Sequence, residues 1–308
     1  MRTAFIDELT KIAREDSKTA LLIAEGGFSV TEKFEAEFAG RFFNMGIAEQ
    51  SLISTSAGMA LRGYTTVAYG MVPFLTMRCY EQIRMDVAYQ DLPVIIAGIG
   101  PGMHYGSSGA SHNSIEDLAI MRTMPNMNVV CASCSQDARG ALRQAVKSKN
   151  PCYISLEREN REYQAAYSME DFCIGKAIQL TEGKDAAIFA CGNQVISALQ
   201  ITKKFAEAGI YVRVYNMHTI KPLDAKSIYE AAKDCKCIFT LEERNVIGGL
   251  GSAVAEIIAE NSDINVRFKR FGIRDEFQRY AGTQQWLLEQ FGLTVAQVYD
   301  EMSKIIKG

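Results

Sequence analysis

The sequence predicts an α/β protein of two domains, each built on a mostly parallel sheet with helices on both faces. Three observations carry that expectation. Short apolar runs alternate with longer helical runs along most of the chain. The apolar runs are continuous, as in strands buried on both faces, where one-sided sheets would alternate apolar and polar positions. A polar stretch without sustained period, 159–183, divides the pattern in two. The domains are therefore placed at 1–165 and 184–308, with 166–183 as the linker.

In order, an amphipathic helix at 2–15 leads to a strand at 20–24. A helix of small residues at 47–62 precedes the strand Tyr64-Thr65-Thr66-Val67-Ala68. The helix at 76–90 leads to strand 93–98, and helix 114–123 to strand 128–132. Helix 136–148 and strand 152–156 close the first unit, and one strand is expected near 173–180 in the polar stretch. The second unit reads as strand 186–190, helix 193–207, strand 211–215, helix 224–232, strand 237–241, helix 250–260 and an apolar stretch at 264–268.

At 308 residues, with 48% hydrophobic and 22% charged, the composition is that of an ordinary globular protein. A net charge of −3 leaves no electrostatic footprint for nucleic acid. No apolar run approaches the roughly 18 residues of a spanning helix, so no membrane partner is expected. The first residues carry acids where a signal peptide would be apolar, which suggests a cytoplasmic protein with eight reduced cysteines. Cys131-Ala132-Ser133-Cys134 has the spacing of a redox or metal pair. It follows an apolar strand with no second such pair, so two strand-end thiols are the favoured reading, as for Cys235 and Cys237.

Three stretches offer chemistry. Glu49 is the single carboxylate in a nearly uncharged run, 44–61, which reads as a buried helix start. Such a carboxylate loses hydration and needs a partner or a proton, which active sites tolerate. A capping or hydrogen-bonded structural glutamate is the alternative. The loop 98–112 begins where strand 93–98 ends, the edge at which open α/β sheets bind ligands. It holds several glycines, His104 and His112, and His112 is either a proton carrier or a helix cap. Gly248-Gly249-Leu250-Gly251-Ser252 opens a helix either as an anion cradle or, by preference, as a tight strand-to-helix turn. The aromatic residues Tyr69, Phe74 and Tyr80 can stack on a planar heterocycle or belong to the core. Arg158, ending strand 152–156, can grip an anion or pair with a neighbouring glutamate.

Taken together these segments resemble the transketolase family. The matching runs are Arg41-Phe42-Phe43-Asn44-Met45-Gly46-Ile47-Ala48-Glu49-Gln50, Ala57-Gly58-Met59-Ala60 with Gly63, and Gly109-Ala110-Ser111-His112-Asn113-Ser114-Ile115-Glu116-Asp117. Met124-Pro125-Asn126-Met127 and Glu242-Glu243-Arg244-Asn245 before Gly248-Gly249-Leu250-Gly251 complete a set that keeps family order over nearly the whole chain. The resemblance implies a pyrimidine-binding domain followed by a transketolase C-terminal-like domain. It covers no counterpart of the family's Gly-Asp-Gly…Asn segment, which holds Mg²⁺ and the cofactor diphosphate. It therefore implies one subunit of a split enzyme, cytoplasmic, with thiamine diphosphate as cofactor and the Mg²⁺ ligands on a separate diphosphate-binding subunit, in an α2β2 assembly.

By the same resemblance Glu49 hydrogen-bonds N1′ of the aminopyrimidine, so that the cofactor's own amino nitrogen can take the thiazolium C2 proton; a dry pocket raising its proton affinity would suit that role. Phe74 stacks on that ring with Tyr80 as a second wall, His112 manages protons at a substrate oxygen, and Arg158 and Arg2 grip a sugar phosphate. Two positions depart from the family pattern. Ser108 stands where an aspartate reads the acceptor's 2-hydroxyl, and Gly100 where a histidine is usual, with His104 nearby at a non-matching position. Glu25 stands where many members carry aspartate. These changes imply transfer of a two-carbon ketol unit between specialised or modified sugars. The nearest alternatives are the β subunit of a 2-oxoacid dehydrogenase E1, a 1-deoxyxylulose-phosphate synthase half and a non-catalytic scaffold subunit. A nucleotide-binding protein, resting on the 248–251 glycines alone, is weaker still.

Overall fold

The computed structural model describes residues 1–25, 29–158, 163 and 167–308. Helix α1 (Arg2–Glu15) turns Phe5, Ile6, Leu9 and Ile12, one stripe at helical spacing, onto the first sheet. Strand β1 (Thr19–Ile23), helix α2 (Glu32–Glu37), β2 (Phe42–Asn44), α3 (Glu49–Leu61) and β3 (Thr65–Met71) follow. α4 (Val72–Thr76) starts directly on β3, with Pro73 in its first turn, where no amide donor is needed. α5 (Tyr80–Gln82) continues as a π-helical turn, Ile83–Ala88. The half ends with β4 (Val94–Ile99), α6 (Asp117–Arg122), β5 (Asn128–Cys131), α7 (Ser135–Ser148) and β6 (Cys152–Leu156).

The second half runs β7 (Ile178–Thr181), β8 (Ala186–Ala190), α8 (Gln194–Glu207), β9 (Val212–Asn216), β10 (Thr219–Lys221), α9 (Ala225–Asp234) and β11 (Cys237–Asn245). It ends with α10 (Leu250–Glu260), β12 (Arg267–Ile273), α11 (Gln284–Gln290) and α12 (Val295–Lys307). One sheet has the order β10-β5-β6-β4-β3-β1-β2 and the other β12-β11-β8-β9-β7. Both are parallel except for β10 and β7, which pair antiparallel at sheet edges. The two-domain, mostly parallel α/β architecture is thus the one the sequence predicts.

Several elements differ from expectation for identifiable reasons. The run 44–61 is not buried throughout. Leu52, Ile53, Ser56, Ala57 and Ala60 face the core, while Gln50, Ser54, Thr55, Gly58 and Leu61 face out. Small and weakly polar residues fit either environment, so the pattern declares no face. The helix expected at 76–90 is interrupted: α4 ends at Thr76, and α5 with its π-helical turn covers Tyr80–Ala88. The helix expected from 114 starts at Asp117, since residue 114 is held in a bridge with Gly102. The apolar stretch at 264–268 leads into a strand that runs from Arg267 to Ile273. β10 escapes notice as a three-residue segment whose partner, β5, belongs to the first sheet.

β11 is longer than its apolar run because it carries three buried charges, Glu242, Glu243 and Arg244, beyond it. Buried charges need partners. Arg244 Nε donates to Asp117 Oδ1 at 2.6 Å, and its other nitrogens reach Ser155 Oγ and the Glu243 carbonyl. Asp117 Oδ2 also accepts the Tyr153 hydroxyl at 2.7 Å. Glu243 accepts from Met103 N at 2.8 Å, from Gln284 Nε2 and from Asn193 Nδ2. A second buried network, Asp137 with Ser133, Tyr167 and Asn216, ties α7 to β9. These bonds lock the two sheets together.

Glu242 settles the glycine turn at 248–252. Its carboxylate accepts from Leu250 N at 2.9 Å and Gly251 N at 2.7 Å, so the first turn of α10 already holds an anion from its own chain. A Cβ on Gly249 would stand 2.2 Å from Glu242 Oε2, which explains why glycine is needed. The nucleotide-cradle alternative loses its donors, and the tight turn is what forms.

Burial raises the Glu242 carboxyl from 4.5 to about 7, outweighing the two amide bonds and nearby Arg244. Native protein then binds this proton more tightly than unfolded protein. The resulting stability is present below about pH 4.5 and is lost as pH rises through about 7. Melting temperatures of wild type and Glu242→Gln across that range test this. Wild type is expected to lose about 3 kcal/mol relative to the variant, and a difference independent of pH would refute it.

Candidate active site

Glu49 is the first residue of α3, where the helix end favours a negative charge. It is 6% exposed and accepts from Arg78 Nη1 at 2.8 Å. The guanidinium carbon of Arg78 lies 4.5 Å from the centre of the Phe74 ring, which α4 projects from the end of β3. Phe74 in turn meets the His112 ring edge to face, with centroids 5.3 Å apart and planes at 79°. Tyr105 stands 6.2 Å on the other side of His112. Arg158, just past β6, lays its guanidinium carbon 5.0 Å from the Tyr105 ring centre. Arg2 Nε, at the start of α1, donates to the Arg158 carbonyl at 3.2 Å.

Glu49, Phe74, His112, Arg158 and Arg2 thus form one continuous strip, bridged by Arg78 and Tyr105. It crosses the carboxyl ends of β3, β4 and β6, neighbouring strands of the first sheet, where such sheets place ligands. The strip has a carboxylate and an aromatic face at one end and two guanidinium groups at the other. Between them His112, with Ser111 Oγ 2.9 Å from its Nδ1, can give or take a proton. It does not cap α6, which begins at Asp117.

The loop bearing His112 is anchored on both sides. Gly102 N donates to Ser114 O at 2.7 Å and Ser114 N returns the bond at 3.0 Å. Gly106 O accepts from Gly282 N and from Gln278 Nε2, both at 3.1 Å, so the segment before α11 braces it from the second domain. Ser108 is exposed on the short helical turn Gly106–Ser108, three residues along the loop from Tyr105. Tyr80 stands apart from the strip, its hydroxyl donating to the Ile120 carbonyl and lying 3.1 Å from Thr123 Oγ1.

His104 points away. Its side chain is 2% exposed and pairs with buried Glu157, whose carboxyl burial pushes up and His104 pulls back. The space beside Gly100 is filled by its neighbour, the ring of Tyr105. Glu25, just past β1, is exposed at a positive φ of 26°. Cys131 and Cys134 are two buried free thiols. Cys134 Sγ lies 3.2 Å from Tyr167 Oη, and Cys131 neighbours Cys191. Cys235 and Cys237 are likewise buried and free.

Arg78 and Tyr105 are the two residues that sequence reasoning missed. Arg78 carried no periodic signal, since it stands in the turn between α4 and α5. Tyr105 carried none, since only the folded loop turns it toward His112. Among the described residues, no group of three His, Cys, Asp or Glu side chains is placed to hold a metal ion, and no helix is long and apolar enough to cross a membrane.

Fold and strip together define an α/β protein whose ligand edge is assembled on its first domain from a carboxylate, aromatic rings and paired arginines. Family models for the transketolase pyrimidine-binding domain and the transketolase C-terminal domain match residues 1–163 and 175–298. A protein named as a transketolase C-terminal section, from Methanocaldococcus jannaschii, is 36% identical over 99% of this chain and 96% of its own. A 6-deoxy-6-sulfo-D-fructose transketolase subunit from Clostridium sp. strain MSTE9 is 34% identical over 97% and 92%. A solved split-gene transketolase, described as an inactive β4 tetramer, superimposes with a TM-score of 0.89 at 36% identity, covering 99% of this chain and 98% of that one. The chain belongs to the transketolase family and carries its pyrimidine-binding and C-terminal domains.

Proposed function

We propose that the chain is one subunit of a split transketolase that, with thiamine diphosphate, moves a two-carbon ketol unit from a ketose to an aldehyde. The observation that carries this is the Glu49–Arg78–Phe74 arrangement. Arg78 is a planar group that stacks on the Phe74 ring while donating to Glu49. A ring-stacked donor to a buried carboxylate is what the cofactor's aminopyrimidine requires, so the residues fit the group. Bound there, the cofactor supplies the nucleophilic carbon that this chain lacks. Glu49 would hold N1′ and Phe74 the ring face, in the place that Arg78 occupies against both. His112 exchanges a proton at a substrate oxygen, while Arg158 and Arg2 take the substrate's anionic end. Ser108 faces the acceptor, and Tyr80 supports the wall from behind through α6.

The diphosphate and Mg²⁺ are assigned to a separate diphosphate-binding chain in an α2β2 assembly. The outer side of α3 and the exposed side chains of Ile47, Leu61 and Tyr89 are the surfaces offered to it. The inactive β4 form of the split-gene relative supports the need for a second kind of chain. The sulfo-sugar relative supports a modified ketose with an anionic terminus.

Reconstitution tests the reading. The full-length chain with thiamine diphosphate and Mg²⁺ is expected to be inactive alone and to transfer a ketol unit once a diphosphate-binding subunit is added. Activity of the chain by itself would overturn the split assignment. Carbon dioxide release from pyruvate by the pair would overturn the ketol-transfer assignment.

A further inference from the structure

We propose that Tyr105 is a specificity-determining residue: its ring forms a wall that orients Arg158 toward a substrate bearing an anionic terminus. This rests on the ketol-transfer reading of the same strip.

Two observations converge. Gly100 has no side chain and a φ of +71°, and a Cβ there would lie 2.1 Å from the Tyr105 ring. Tyr105 therefore fills a volume that a side chain at position 100 would otherwise take, at the end of β4. In that position its face lies 5.0 Å from the Arg158 guanidinium carbon and its edge borders His112. A guanidinium over an aromatic face is held by the ring quadrupole with its N–H fork left free in the ring plane. Arg158 is exposed and forms no ion pair among the described residues, so the ring is what limits where its fork points. Two guanidinium groups beside one ring suit a phosphate or sulfonate joined to a short polyol.

Ring and volume can be separated by substitution. In the complex with the diphosphate-binding subunit, ribose 5-phosphate and ribose are titrated calorimetrically into wild type, Tyr105→Phe and Tyr105→Leu, with and without thiamine diphosphate. Leu fills the gap beside Gly100 but offers no π-face. Ribose 5-phosphate is expected to bind about three- to tenfold more weakly to Tyr105→Leu and within about twofold of wild type to Tyr105→Phe, with ribose unchanged. The same loss is expected to appear as a raised KM with kcat little altered. If Leu misfolds, Tyr105→Met, equally apolar and ringless, carries the same expectation. Wild-type affinity in the ringless variant, or an equal loss in Tyr105→Phe, overturns the proposal. Failure of wild type to bind thiamine diphosphate sinks the ketol-transfer reading alone, because the sugar titrations are read without cofactor too.

Discussion

Glu49→Gln is expected to lower turnover of the reconstituted enzyme by at least about 100-fold while leaving the fold intact. The two halves of that expectation have different causes. Turnover falls because an amide keeps the shape of the carboxylate but cannot share a proton with a ring nitrogen, so the cofactor's amino group loses its drive to accept the C2 proton. Stability hardly moves. The ion pair lost is with Arg78, whose side chain is 45% exposed, and such pairs are worth about 1 kcal/mol or less. The Gln oxygen also remains available to the Arg78 N–H. Steady-state kcat, exchange of the thiamine C2 proton and a melting curve together check the prediction. Turnover within about threefold of wild type would leave Glu49 a structural glutamate and favour the scaffold alternative.

The second large effect concerns stability. Arg244→Met is expected to cost about 3–5 kcal/mol, because it strands the buried Asp117 carboxylate without its cation. For a chain of this size that corresponds to a fall in Tm of roughly 6–15 °C. Tyr153 and Ser155 would still donate to Asp117, but neutral donors do not replace a full charge at 2.6 Å. The double variant Arg244→Met, Asp117→Asn is expected to recover part of the loss, since removing both charges also removes the desolvation they impose. A single variant that melts within about 2 °C of wild type would show that Asp117 takes up a proton at little cost. The pair spans α6 and β11, so the measurement also reports how firmly the two domains are locked.

The arrangement of these residues explains what could be read early. Glu49 and His112 stand in runs whose order along the chain is distinctive, and the fold places them on one strip with Phe74. Arg158 and Arg2 join the same strip from the end of β6 and the start of α1, 156 residues apart. Tyr80 shares the aromatic spacing but its hydroxyl is spent on α6, a use no local pattern reveals. His104 looks as free as His112 in a glycine-rich loop. Only packing against Glu157, just past β6, turns it inward.

Sequence by itself determined the alternation of helices and doubly buried strands, the two sheets they build, and the family motifs that fall at strand ends. Those are local properties, set by hydrophobic periodicity and by residues adjacent in the chain. Tertiary structure alone decided which charges are partners. Glu242, Glu243 and Arg244 lie inside β11 because donors from α10, α11 and the loop after β8 converge on the two glutamates and an acceptor from α6, Asp117, takes the Arg244 bond. It likewise sent β10 across to the first sheet, and gave the space beside Gly100 to Tyr105 and not to His104. Each of these outcomes depends on groups far apart in sequence meeting in a low-dielectric interior, where an unpaired charge or an empty volume is too costly to leave.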